Sequence, residues 1–313
     1  MIDIESAEDE PEIAKVRDFF VTVTGGLEDV ALREIKATLK GVTRIQVHKR
    51  QRQGRIHFRY GRSPKHLLSL QSVEGVFALL REFGGVTTGR PGLVRVADAI
   101  STVDLAPGVV LYNILHGAPS TTGVAISCTV GRGHRFSSSE LHQVLRSVLA
   151  QTYDLDEEEQ HGPYYLHVRI EGQRGVVGFR LSGRSLMEGS LGEGGGRSVS
   201  GDLSVPAIRA IGMVIQPERR GTWLDPICRG GVALAVFAER YGIRPVGLET
   251  QQEWAEVARK TLGHLPQSSV GLWDGQRIPF VEGTFNGIFG YLGRRAEISF
   301  GPELQSEFER VLT

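Results

Sequence analysis

Residues 222 to 249, TWLDPICRGGVALAVFAERYGIRPVGLE, restrict the possible folds more tightly than any other part of the chain. A short apolar run closes on Asp225-Pro226, the Gly230-Gly231 pair interrupts the pattern, an apolar helical stretch follows, and a second apolar run closes on Glu249. That order predicts a strand, a crossover helix and a second strand parallel to the first. In such a unit glycines let a ligand come close to the backbone amides at the helix start. An acid closing the second strand is placed to hold two ribose hydroxyls, and the step from Asp225 to Glu249 suits one such unit. Purely structural βαβ units share this spacing, so it leaves nucleoside binding and plain packing both open.

The alternation continues on either side. Ser204-Val205-Pro206 starts a helix, with serine at the cap and proline in the first turn. Helices are expected at 205–214, 231–241, 252–262 and 303–312, and strands at 222–225, 245–249, 268–273 and 287–291. Strands alternating with helices predict a parallel sheet covered on both faces, placed in a domain spanning 204–313.

The first half has a different rhythm. A strand at 19–23, a Gly25-Gly26 turn, a helix at 27–39, strands at 43–47 and 55–60, a short helix opened by Pro64 and a strand at 76–83 give a βαββαβ order. This is the split βαβ of ferredoxin-like folds, assigned to 18–85. A glycine-rich turn, 84–92, leads to a second α/β module, 86–183, with strands at 124–130, 164–171 and 176–182. Ser137 three residues before Glu140, followed by Leu141, Val144, Leu145, Val148 and Leu149, is a capping box opening an amphipathic helix. Residues 1–17 form an acidic tail expected to be disordered, and the glycine-rich stretch 184–203 is expected to be a connector.

With 40% hydrophobic and 23% charged residues, the chain has the composition of a globular protein. No apolar run approaches a membrane span and the N-terminus is acidic, so no membrane is expected and the cytoplasm is the expected compartment. Two cysteines and nine histidines without ligand spacing predict neither a disulfide framework nor a metal site. The net charge of zero hides an asymmetry. From Arg33 to Lys65 there are eleven Lys/Arg against the single acid Glu34, while Met1 to Glu12 carries six acids and Asp154 to Glu159 five. A solvated basic face would explain this; so would a surface for a polyanion, with Lys49, Arg50 and Arg52 as candidate contacts. Arg132, His134 and Arg135 cluster in a turn without an apolar reason to do so, and are candidates for facing RNA.

Asp225-Pro226-x-Cys228-x-x-Gly231 resembles the cofactor loop Asp-Pro-x-Cys-Gly-Ser-Gly-Thr of the THUMP-containing RNA guanine-N2 methyltransferases, where S-adenosylmethionine (SAM) binds. Three further stretches are similar to that family in the same order. They are Phe20 to Glu28, Thr129 to Ser138, which resembles the THUMP signature, and Gly201 to Ile208 before the cofactor loop. The resemblance spans roughly 18 to 290. It implies an α/β fold in which ferredoxin-like and THUMP modules, binding structured RNA such as tRNA, precede a Rossmann-like class I methyltransferase domain. It also implies SAM as cofactor, held by Asp225, Pro226, Cys228, Gly230 and Gly231, with Glu249 on the ribose and Asp274 near the adenine. Each acid has a structural competitor: helix cap for Asp225, solvated strand end for Glu249, turn for Asp274-Gly275.

Two departures qualify what the resemblance implies. Arg229 stands where the family has the first glycine of Gly-Ser-Gly, and Val232 replaces the threonine. The catalytic Asp/Asn-Pro-Pro-Tyr motif is missing, and the corresponding strand offers only Tyr291 as a ring to stack on a base. The family's sheet continues into further strands beyond the equivalent of Thr313. The expectation is therefore an incomplete parallel sheet whose open edge favours an oligomer or partner. An active N2-guanine methyltransferase and an inactive RNA-binding remnant both remain open at this point.

Overall fold

The computed structural model describes residues 17–121, 123–153, 155, 162–183, 203–291 and 301–313. The acidic tail up to residue 16, the acidic run at 154 and 156–159, and the connector up to residue 202 lie outside the described residues. What is described divides into two compact units, the first drawn mainly from residues up to Gly183 and the second mainly from Arg184–Thr313.

The first unit contains one seven-stranded sheet. Strands β1 (Asp18–Thr24), β2 (Thr43–His48), β3 (Gln53–Arg59) and β4 (Gly75–Gly84) run in the order β2-β3-β1-β4, with helix α1 (Glu28–Thr38) after β1 and a 3-10 helix at Pro64–Ser69. All three pairings are antiparallel, which is the ferredoxin-like arrangement that the βαββαβ order predicts. The same sheet then continues. β4 pairs with β7 (Arg174–Arg180), β7 with β6 (Tyr164–Glu171), and β6 in parallel with β5 (Val124–Val130), so 18–85 and 86–183 share one set of backbone hydrogen bonds.

Helix α4 (Ser138–Leu149) crosses from β5 to β6. Its capping box is complete: Ser137 Oγ accepts from Glu140 N, and the Glu140 carboxylate accepts from Ser137 N. Leu141, Leu145 and Leu149 are buried along one stripe.

Two helices not foreseen from sequence stand between β4 and β5: α2 (Arg90–Ser101), whose first residues overlap the expected turn 84–92, and α3 (Ala106–His116). Each begins with Pro-Gly just inside its start, Pro91-Gly92 and Pro107-Gly108. Proline in the first turn is a helix opener as well as a turn residue, because its missing N–H has no intrahelical partner there. Gly92 packs so close to Thr87 that a Cβ would collide with the Thr87 carbonyl, so its glycine serves contact and not flexibility.

The second unit is a four-stranded parallel sheet in the order β10-β9-β8-β11, formed by β8 (Thr222–Asp225), β9 (Arg244–Glu249), β10 (Ser269–Leu272) and β11 (Gly287–Ile288). Its last strand is shorter than the predicted 287–291. The connections are α5 (Val205–Ile215) before β8, α6 (Val232–Tyr241) between β8 and β9, α7 (Gln252–Leu262) between β9 and β10, and α8 (Pro302–Val311) after β11.

Strand side chains alternate between faces. Val236 and Phe237 of α6 pack with Val205 and Ile208 of α5, and Leu234 and Ala235 with Cys228 and the α7 residues Ala258 and Leu262. Leu224, Val246, Leu248 and Phe285 pack on the other side with Leu304 and Val311 of α8. Both faces are therefore covered, as the alternation requires. None of the helices among the described residues is long and apolar enough to cross a membrane.

Candidate functional site

From β8 the chain winds outward through β9 to β10, then returns to place β11 on the free side of β8. The crevice at the carboxyl ends of β8 and β11 is thus the switch point of the sheet, the place where open α/β sheets bind ligands. Asp225 ends β8, Glu249 ends β9, and Asp274 follows the end of β10 by two residues. Parallel pairing brings the three chain ends to one edge.

The loop after β8 is stitched to β9. Ile227 N donates to Asp225 Oδ1 (3.0 Å), Cys228 N to Leu248 O (2.9 Å), Arg229 N to Glu249 Oε2 (2.8 Å), and Gly231 N to Cys228 O (2.7 Å). Two residues of this loop occupy the left-handed region, Arg229 at φ +44° and Gly231 at φ +75°. Glycine takes that conformation freely, whereas a side chain strains it. The backbone at Arg229 thus has a shape better suited to glycine.

Asp225 and Glu249 are buried, 4% and 3% exposed. Besides the Arg229 amide, Glu249 accepts Thr250 N at 2.8 Å on Oε1, with Gln251 N at 3.4 Å. Thr250 Oγ1 stands 3.4 Å from Oε1 as well, so Oε1 gathers three donors while Oε2 takes the Arg229 amide. Glu249 is a buried tie between two loops, unlike the solvated strand end that was its structural competitor.

Asp274 is exposed, and its Oδ1 accepts the amides of Gln276 (2.9 Å) and Arg277 (3.2 Å), a turn closed with Gly275 at φ +79°. The Gln276 amide foremost, then that of Arg277, holds its carboxyl below the usual range.

Cys228 is buried, with its Sγ 2.7 Å from where a Cβ on Gly247 would stand, so it fills the space that this glycine leaves. Burial pushes its thiol well up, and Asp225 and Glu249 add to the rise. It remains a thiol at neutral pH, a packing group and not a nucleophile.

Two cavities flank the loop. Asp225, Cys228, Arg229 and Tyr291 line the first, with Val232, Phe289 and Ile208; its volume is about 30 Å3, room for a water or two. The second is about 330 Å3, the size of a small-ligand site. Pro226, Ile227, Trp273, Ile288 and Gly290 form its sheet side, and Leu304, Phe308 and Leu312 lie opposite. Trp273 is 9% exposed and its buried indole N–H has no hydrogen-bond partner, an unusual state for a buried donor. An apolar recess of this size, beside a loop of backbone amides, fits the nucleoside part of a cofactor.

The structure therefore brings Asp225, Pro226, Cys228, Gly231 and Glu249 together around the loop, with Gly230 buried inside it. Glu249 and Asp274 line neither cavity. Sequence reasoning passed over Ile227, Trp273 and the α8 residues as ligand-lining groups. Of these, only Trp273, a large apolar ring directly before Asp274-Gly275, carried a usable signal.

In the first unit, Arg132 and Arg135 are exposed on the turn before α4. His134 is half-buried, its ring 4.8 Å from that of Phe136, which is 5% exposed. Phe136 thus anchors the turn and leaves the two guanidiniums outside. Lys49, Arg50 and Arg52 are exposed between β2 and β3. Among the described residues, no group of three or more His, Cys, Asp or Glu is placed to hold a metal ion.

No protein-family model and no curated protein matches this chain. Solved structures do match it. TrmN from Thermus thermophilus aligns over 87% of this chain and 78% of its own, with TM-score 0.62 and 17% identity. A Listeria monocytogenes protein assigned as an N6-adenine-specific DNA methylase aligns over 88% and 79%, with TM-score 0.56 and 11% identity. SMU.472, assigned as a methyltransferase and solved with SAH, aligns over 90% and 81%, with TM-score 0.55 and 12% identity. At these identities the likeness is one of fold. The chain has the α/β architecture of these proteins, with a Rossmann-like parallel sheet in its second unit.

Proposed function

We propose that this chain is a SAM-binding, RNA-binding protein of the THUMP-containing methyltransferase family. It takes a structured RNA, tRNA or another small folded RNA, on residues 18–183 and SAM at the carboxyl edge of the sheet in 204–313. The observation that carries the proposal is the apolar 330 Å3 recess at the switch point, beside the loop that follows β8. The fold likeness to TrmN and to SMU.472, which was solved with SAH, supports the same ligand class.

SAM, when bound, would supply an electrophilic methyl group on a sulfonium, which guanine N2 would take as S-adenosylhomocysteine leaves and the amine proton passes to water. Ile227 and Trp273 would exclude water from the nucleoside, and Glu249 would accept from the ribose hydroxyls. Tyr291, 39% exposed beyond β11, offers a ring to the base.

A second function, RNA binding without methyl transfer, is favoured by two observations. Arg229 occupies a position shaped for glycine, in the wall of a cavity of only 30 Å3. The residues around Tyr291 contain no Asp/Asn-Pro-Pro to hold the amine. A misplacement of about 1 Å can cost on the order of a hundredfold in rate, so slow or absent transfer is expected. Incubation with radiolabelled SAM and undermodified total tRNA separates the two. Robust N2-methylguanosine that Tyr291→Ala abolishes establishes the enzyme, and saturable SAM binding without incorporation establishes the remnant. Absence of binding to both SAM and RNA sinks the proposal.

A further inference from the structure

The sheet of the first unit curls far enough that β3 and β6, separated by three strands in the sheet order, meet through their side chains. Arg55 Nη2 stands 2.6 Å from Glu171 Oε2. In β6, Tyr164, Leu166, Val168 and Ile170 are buried, and the alternate positions carry His167, Arg169 and Glu171. The polar face lies inside the curl, where it lines a cavity of about 570 Å3, well within the range of small-ligand sites.

Glu171 is the centre of this wall. Its Oε1 accepts Arg169 Nε (2.9 Å) and Nη2 (2.7 Å), its Oε2 accepts Arg55, and Arg50 Nη2 lies 3.5 Å away. One carboxylate thus faces three guanidiniums. A fourth arginine, Arg174, lines the same cavity; the other carboxylate there, Glu82, is 59% exposed and 3.4 Å from His57.

The histidines do not balance the charge. Burial, aided by Arg55, pushes His57 down to about 4 and His48 below its ordinary value, so both are neutral at pH 7. Arg55 is 5% exposed, and its Nη1, like His57 Nε2, has no hydrogen-bond partner. A latch built only to hold the curl closed would be satisfied by matched charges. This network keeps excess positive charge and an unused buried donor, Arg55 Nη1, which is costly unless an acceptor completes it.

We propose that this concave face binds the phosphate group of a nucleotide ligand, received by Arg50 and Arg174 at the rim within the positive field of Arg55 and Arg169. The proposal deepens the RNA-binding half of the function proposed above. It rests on that reading only for the source of the phosphate, since a free nucleotide and an RNA strand present the same group.

The test follows the ring signals of His57 and His48 by NMR in the full-length protein during titration with inorganic phosphate, 5′-AMP, adenosine and a short single-stranded RNA. Phosphate and AMP are expected to give saturable shifts and to raise the titration midpoint of His57, because a bound anion favours the imidazolium. Adenosine at equal concentration should do neither. Arg55 pairs with Glu171, and its loss can unfold the unit, so the variant is Arg50→Ala with Arg174→Ala, both exposed side chains. This variant should keep its circular dichroism and thermal midpoint, weaken AMP binding at least about tenfold, and flatten the salt dependence of RNA binding by about one unit per lost contact.

Shifts with AMP but not RNA assign the site to a free nucleotide, and shifts with both assign it to a strand. Absence of saturable shifts with phosphate and AMP, or unchanged affinity in the variant, overturns the proposal. If tRNA affinity falls in Arg132→Ala/Arg135→Ala but not in Arg50→Ala/Arg174→Ala, RNA binding stands and an RNA strand is ruled out as the source of this site's phosphate.

Discussion

Arg229 offers the sharpest test of how the loop after β8 is built. Its φ of +44° places a residue with a Cβ in the left-handed region, at a cost of about 1–2 kcal/mol. Glycine removes that cost but gives back about 0.5–1 kcal/mol through the greater freedom of the unfolded chain. Arg229→Gly should therefore be about 0.5–1 kcal/mol more stable than Arg229→Ala, the reverse of their order in a helix interior. Both variants keep the amide that donates to Glu249 Oε2, so the comparison isolates the backbone.

All three tryptophans, Trp223, Trp254 and Trp273, lie in the second unit, so their fluorescence reports its unfolding. The gap should appear as a few degrees in the thermal midpoint. Calorimetry with SAM gives a separate reading: removing the side chain from the wall of the 30 Å3 cavity should tighten binding about tenfold in Arg229→Gly, equivalent to about 1.4 kcal/mol. An alanine variant as stable as the glycine variant, or more so, refutes the strain argument. Unchanged SAM affinity refutes the obstruction argument and leaves the strain argument intact.

Glu249→Ala should cost about 2 kcal/mol in denaturant unfolding, because the Arg229 and Thr250 amides lose a buried acceptor; an effect under about 0.5 kcal/mol would show that water replaces it. Trp273→Phe, which removes the unpartnered donor while filling similar space, should leave stability nearly unchanged in denaturant unfolding; a loss above about 2 kcal/mol would show that the N–H is satisfied in solution. The Arg310 hydrogen bonds foremost hold Glu307 at about 2, against an ordinary 4.5. A folded value below the unfolded one adds stability that is complete above about pH 4.5 and lost as pH falls toward 2. The acid transition followed by tryptophan fluorescence should thus be shallower across that window in Glu307→Gln, and an unchanged slope would contradict the assignment. Arg132→Ala with Arg135→Ala should weaken tRNA binding most at low salt without changing the thermal midpoint; identical affinity to the parent at low and moderate salt would remove that turn from the RNA surface.

Much of the architecture follows from local pattern. Apolar runs, Gly-Gly and a closing acid between Thr222 and Glu249 specify a βαβ unit, because period and punctuation suffice to choose strand, turn and helix. Ser137 and Glu140 specify a helix start in the same way, two side chains satisfying amides within four residues. Pro91-Gly92 and Pro107-Gly108 open helices, although the same dipeptide can close a turn, and neighbouring packing selects between the two.

Longer-range features were decided only by the tertiary structure. The carboxylate of Glu249 meets Arg229 because parallel pairing carries two loops to one sheet edge, and the recess beside Trp273 exists only once α8 packs across that edge. Arg55 and Glu171, 116 positions apart, become partners through the curl of seven strands. A sequence encodes local conformation through short-range sterics and hydrogen bonding, whereas a site's charge balance and volume depend on distant residues brought together by packing.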